Sequence, residues 1–133
     1  MNRLIFFLII TLFPLIVFSS ENMKSDEELA VLGNSGAAFR LGSKYLNGEG
    51  IEKDYNKAKY YLELAALKNH AHAMYNLGYM YLYGEGVAQD YLMAFDYFQQ
   101  SAEYNFAPAI YILGLMYYDG AGVKKNNKKR RTV

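Results

Sequence analysis

A period of 36 residues runs through the chain, and it constrains the fold more than any single motif. The segment Leu41-Gly42-Ser43-Lys44-Tyr45 recurs as Leu77-Gly78-Tyr79-Met80-Tyr81 and as Leu113-Gly114-Leu115-Met116-Tyr117. The same step relates Gly48-Glu49-Gly50-Ile51, Gly84-Glu85-Gly86-Val87 and Gly120-Ala121-Gly122-Val123. It also relates Asp54 to Asp90, Ala58 to Ala94, Tyr61 to Tyr97, and Gly33 to Asn69 and Asn105. Self-similarity of this length marks stacked units, none of which buries its apolar face alone.

Within one period the pattern is that of two antiparallel helices. Ala73, Met74, Leu77, Gly78 and Tyr81 recur at i, i+3 and i+4, which predicts helix A of the second unit over Ala71 to Tyr83. Gly84-Glu85-Gly86 ends it, since a glycine just past a helix takes the left-handed conformation. Asp90 then suits the N-cap of helix B, where its carboxylate accepts from free amides of the first turn. Ala94, Tyr97, Phe98, Ser101 and Ala102 form the stripe of that helix. Asn105 is placed to end it in the left-handed region. The small residues Gly42, Ala58, Gly78 and Ala94 let helix axes approach closely.

The expected class is therefore an all-α solenoid. A half-repeat cap over residues 21–34 opens with the capping-box pattern Ser25-Asp26-Glu27-Glu28. Repeat 1 occupies 35–70 and repeat 2 occupies 71–106. A partial third repeat, helix A and its loop, covers 107–123, and a basic tail covers 124–133. Asn126 stands one period after Asp90, and Arg130 falls where Ala58 and Ala94 supply small packing residues. The apolar residues Ile110, Leu113, Met116 and Tyr117 then lack a helix B, which suggests weak self-association through the third helix A.

The order L-G-x-x-Y-x-x-G-x-G-[IV]-x-x-D-x-x-x-A, from Leu41 to Ala58 and from Leu77 to Ala94, resembles the Sel-one-like repeat, a relative of the tetratricopeptide repeat. Leu113 to Val123 carries it in part. The resemblance implies a right-handed superhelix of helix pairs whose concave face binds proteins or peptides, acting as an adaptor or scaffold. For exported bacterial members it implies host interaction or envelope complexes. Some secreted relatives lock each repeat with a disulfide, which this chain, having no cysteine, does not.

The N-terminus is expected to be a targeting segment. Arg3 precedes an apolar run from Leu4 to Phe18, and Ser19-Ser20 follow. Charged start, apolar middle and small-residue end are the order of a secretory signal peptide over residues 1–20. The alternative is an uncleaved anchor, although 15 residues of helix reach only about 22 Å. The cleaved product would be periplasmic or secreted. Membrane contact is otherwise expected only through the tail.

Charge narrows the function. From Glu21 to Val123 there are 13 acids and 7 bases, whereas Lys124 to Arg131 holds six bases and no acid. An acidic body is a poor surface for nucleic acid. The tail is either a solvated charge run or a contact for anionic lipid or an acidic partner.

Catalytic chemistry finds little footing. The Gly-x-Gly loops close a helix rather than open one, and Glu49 and Glu85 would repel a phosphate. His70 and His72, the only histidines, are two residues apart and do not share a helix face, so both are expected as exposed turn residues without metal. No cofactor is expected. The repeat-defining residues are assigned to packing, turns and caps. They are Leu41, Gly42, Tyr45, Gly48, Gly50, Asp54, Ala58, Leu77, Gly78, Tyr81, Gly84, Gly86, Asp90, Ala94, Leu113, Gly114, Tyr117, Gly120 and Gly122.

A second face of helix A remains. Phe39, Tyr75 and Tyr111 are one period apart, as are Ser43, Tyr79 and Leu115. With Leu77 at zero, Tyr75 and Tyr79 lie near 160° and roughly 200° on the helical wheel, away from the main stripe. One reading is packing between repeats. The other is an aromatic groove for a peptide, where tyrosine offers apolar area and a hydroxyl. A non-catalytic module binding protein or peptide is the expectation. A self-assembling structural or host-interaction envelope protein is the alternative, and a cell-wall-directed hydrolase is a remote one.

Overall fold

Each helix but the last starts at a residue whose side chain accepts from a free amide of its first turn. The computed structural model describes residues 25–121, and these form six α-helices with no strand among them. They are α1 (Asp26–Val31), α2 (Ser35–Asn47), α3 (Tyr55–Ala66), α4 (Ala71–Tyr83), α5 (Tyr91–Glu103) and α6 (Ala107–Asp119). The expected signal peptide over 1–20, the start of the half-repeat cap at 21–24, Gly122, Val123 and the basic tail lie outside the described residues. Pairs α2–α3 and α4–α5 stack as an α-solenoid, with α1 packed on the first pair and α6 on the second.

The helix starts follow the side-chain chemistry. Ser25 Oγ accepts from the Glu28 amide at 3.2 Å, and Asp54 Oδ1 from the Lys57 amide at 3.0 Å. Asp90 Oδ1 accepts from both Leu92 and Met93, at 2.9 and 3.1 Å. These bonds satisfy amides that have no partner inside the helix. The A-helix ends are left-handed at Gly48, Gly84 and Gly120. The junctions into the next A helix turn at Gly33, Asn69 and Asn105, all at positive φ. Each loop is tied back to its helix, with the Asp54 amide donating to the Tyr45 carbonyl and the Asp90 amide to that of Tyr81.

A glycine seat joins the two helices of a pair. A Cβ added to Gly42 would lie 2.7 Å from the Leu62 side chain, and one added to Gly78 would lie 2.7 Å from that of Phe98. Leu62, Leu77, Met80 and Phe98 are fully buried. Beside each seat two tyrosines stack, Tyr45 on Tyr61 at 5.9 Å and Tyr81 on Tyr97 at 5.7 Å. Ser101, the buried polar residue of α5, donates to the Ala71 carbonyl at 2.8 Å and so pins α5 to the start of α4. The acidic first turn of α1 suits the positive end of that helix. Its Asp26 is paired with Arg40 of α2, which holds the carboxyl below its usual value.

The two second glycines of the loops differ in their surroundings. Gly50 and Gly86 have φ of 74° and 69°, so any side chain is strained at either. A Cβ on Gly50 meets open space, whereas one on Gly86 would overlap Tyr55 Cβ. Gly50→Val is expected to cost about 1–2 kcal/mol from the backbone alone. Gly86→Val should cost about 1–3 kcal/mol more from overpacking. Urea unfolding of the two variants checks this, and equal losses would refute the contact with Tyr55.

Candidate interaction surface

The side of the A helices that carries Phe39 and Tyr75 holds a run of aromatic and imidazole rings. Phe39 of α2 stacks on His70 with centroids 4.5 Å apart, and His72 lies 5.7 Å from both. His72 meets Phe106 at 4.3 Å, and Phe106 meets Tyr75 edge-on at 5.1 Å. Tyr75 continues to Tyr79 at 4.9 Å, and Tyr79 stacks on Tyr83 at 5.5 Å. Tyr75 and Tyr79 both set their edges against buried Phe98. The run therefore crosses from the first unit to the start of the third. It is half-buried, with His72 and Tyr83 exposed.

The six residues singled out from sequence divide in two. Phe39, Ser43, Tyr75 and Tyr79 are half-buried, and Ser43 accepts from Asn76 Nδ2 at 3.4 Å, which links α2 to α4. Tyr111 and Leu115 on α6 are 67% and 42% exposed. Among the described residues neither joins the ring contacts. The Tyr79 hydroxyl is pushed up to about 12 by its neighbour Tyr75 and by partial burial, so it stays a neutral donor at physiological pH.

His70 corrects an expectation. It is not an exposed turn residue but the half-buried N-cap of α4, its Nδ1 accepting from the Ala73 amide at 3.4 Å. Asn34 holds the same place before α2 and accepts from Ala37 at 2.9 Å. Phe106 holds it before α6 and makes no side-chain cap bond. The three are one period apart, and that spacing was the available signal for including His70 and Phe106 in the surface. Burial, then His72, lowers the pKa of His70. Among the described residues no group of three His, Asp or Glu side chains is arranged to hold a metal ion.

Stacked helix pairs in a repeating frame define a helical-repeat protein, and the comparisons specify the family. The family model for the Sel1 repeat matches residues 35–70, 71–103 and 107–129. The chain belongs to the Sel1 repeat family. A Sel1 repeat protein from Oxalobacter formigenes is similar over 74% of each chain, at 36% identity and a TM-score of 0.68. A second similar structure is c5321, a protective antigen present in uropathogenic Escherichia coli strains that displays an SLR fold. It is 36% identical over 74% of this chain and 21% of its own, with a TM-score of 0.71. No curated protein matches the chain significantly. Sel1 repeat proteins generally mediate protein–protein interactions and act as non-catalytic scaffolds.

The His70 cap makes a pH dependence. The folded pKa lies below the ordinary 6.5, so the unfolded chain takes up the proton first as pH falls. The stabilisation is complete above 6.5 and is lost as pH falls through that value towards the folded one. Protonation also puts a hydrogen on Nδ1 and removes the acceptor for Ala73. Thermal unfolding is expected at a lower temperature at about pH 5.5 than at about pH 7.5. His70→Asn, which keeps a cap, should remove most of that difference. An unchanged pH profile in the variant would place the titrating group elsewhere.

Proposed function

We propose that this protein is an exported, non-catalytic scaffold that binds a peptide or an extended protein segment along the aromatic side of its A helices. The observation that carries the reading is the ring run from Phe39 to Phe106, which crosses unit boundaries, with Tyr111 and Leu115 exposed one period after Tyr75 and Tyr79. Aromatic rings supply much of the energy at binding surfaces, with little side-chain entropy to lose. Rings already held by neighbours, as Phe39 is by His70 and Tyr75 by Phe106, lose still less. Export is supported by the order of Arg3, the apolar run to Phe18, and Ser19-Ser20.

Selection of a displayed random-peptide library against the full chain tests the binding reading. Peptides bearing apolar side chains are expected, and Tyr111→Ala and Leu115→Ala should each weaken the selected peptide roughly tenfold. Both side chains are exposed, so circular dichroism should show unchanged helicity. Peptides insensitive to Tyr111, Leu115 and Phe39 alike would move the site elsewhere. For export, mass spectrometry of the envelope fraction should find a chain beginning just after Ser19 or Ser20, and a chain still beginning at Met1 would sink that part.

A further inference from the structure

The helices α1, α3 and α5 follow one another at the period, and a groove runs along each side of α3. The first, of about 580 Å³, is lined by Glu27, Glu28, Val31, Leu32 and Tyr61. The second, of about 450 Å³, lies between α3 and α5 and is lined chiefly by Glu63, Leu67, Met93, Asp96 and Tyr97. The two are copies of one feature, since Glu27, Val31 and Tyr61 stand one period before Glu63, Leu67 and Tyr97. Each groove has two carboxylates, two large apolar side chains and a tyrosine, and among the described residues no lysine or arginine lines either. The apolar groups lie open, with Val31, Leu32 and Leu67 at 70%, 67% and 78% exposed and Met93 at 37%. A single exposed apolar side chain is ordinary, but apolar pairs repeated beside carboxylates mark an interaction surface.

The charge of both grooves is negative. Burial, then Glu27, raises the pKa of Tyr61, and burial, then Glu63, raises that of Tyr97, so both hydroxyls stay protonated and the charge belongs to the carboxylates. Glu63 shares its charge with Lys59 at 2.9 Å, whereas Glu27, Glu28 and Asp96 make no ion pair among the described residues. The feature ends at α5, because Gln99 and Glu103 stand one period after Glu63 and Leu67. A further helix in the series would, by the same period, pack against Gln99, Ala102 and Glu103. Those residues lie on a different edge of α5 from Asp96 and Tyr97, so continuing the repeat does not fill the groove between α3 and α5.

We propose that the two grooves form one docking site for a basic segment of a partner protein. The segment crosses α3, with a lysine or arginine beside the carboxylates of each groove. Its apolar side chains lie against Leu67 and Met93 in one groove and against Val31 and Leu32 in the other. Charge selects this occupant. An acidic segment is repelled, and a neutral one strips water from the carboxylates without pairing them. A basic and apolar segment gains from both parts of each groove. A helix with its side chains is about 10–12 Å across, so the two basic groups are about that far apart. The site uses no residue of the aromatic side and goes beyond the reading above.

The test uses the full chain and a fluorescein-labelled peptide of four Lys-Leu-Ala triplets, read by fluorescence anisotropy. Saturable binding is expected, weakening at least roughly tenfold between about 50 and about 500 mM salt. A Glu-Leu-Ala peptide should not bind, and a Lys-Ser-Ala peptide should bind at least roughly tenfold less tightly. In the protein, Asp96→Lys, Leu67→Ser and Val31→Ser should each weaken binding roughly tenfold. All three side chains are exposed, so circular dichroism should show unchanged helicity. No binding, binding that ignores salt, equal binding of either control peptide, or full affinity in Leu67→Ser or Val31→Ser overturns the proposal. A chain ending at Ala121 that binds at least roughly tenfold more tightly would give the grooves to the chain's own basic residues and overturn it too. Tyr111→Ala and Leu115→Ala should leave this affinity unchanged, which separates the site from the aromatic side. A loss in either would put the peptide on that side and overturn the proposal.

Discussion

A glycine on one helix and a large apolar side chain on the next set the distance between the two helices of each pair. Gly42 lies under Leu62 and Gly78 under Phe98, with no room for a Cβ. Axes that approach this closely must also have small residues nearby, and Ala58 and Ala94 meet that need with complete burial. The flanking tyrosines then stack face to face rather than interlock, since the backbones have fixed their separation. Among the described residues every buried side-chain nitrogen or oxygen has a partner.

The seat sets one dimension of the solenoid, and the junctions between pairs set the other. Asn69 and Asn105 adopt the left-handed conformation at the cost of a Cβ that Gly33 lacks. Each turn delivers the chain into the next A helix, and the residue right after it becomes the N-cap. The starts of the second and third A helices are thus brought against rings of the helix pair before them. His70 comes to lie on Phe39, and Phe106 comes to lie beside His72 and Tyr75. The aromatic flank is a consequence of where the turns put the helix starts.

Much of this architecture is legible in the amino-acid sequence because it depends on local backbone chemistry. Gly48 and Gly84 announce helix ends, Asp54 and Asp90 announce helix starts, and the period itself announces stacking. The aromatic flank is less legible, for two physical reasons. A helical wheel knows only its own helix, so it places Tyr75 and Tyr79 opposite Leu77 without showing that Phe98 of α5 and Phe106 of the next junction close on them. The usual capping chemistry also hides His70 and Phe106, since neither side chain belongs to the oxygen-bearing set that marks an N-cap. Equivalence to Asn34 by the period is the signal that reaches them.

That single position shows how a repeat protein acquires individual character without altering its frame. Asn34, His70 and Phe106 occupy the same extended backbone conformation at ψ of 103°, 101° and 102°. Asn34 makes a good cap at 2.9 Å and no ring contact. His70 makes a long cap at 3.4 Å and a stack at 4.5 Å. Phe106 makes no cap and two ring contacts. A cap is worth about 1 kcal/mol, and an aromatic pair about 0.5–1.5 kcal/mol beyond its buried area. The exchange is close to neutral for stability, so the frame does not dictate the residue. Positions such as Gly42 and Gly78 repeat because packing leaves no alternative. Positions such as this one differ because packing leaves several, and it is there that a surface with its own chemistry can be built onto an otherwise uniform stack.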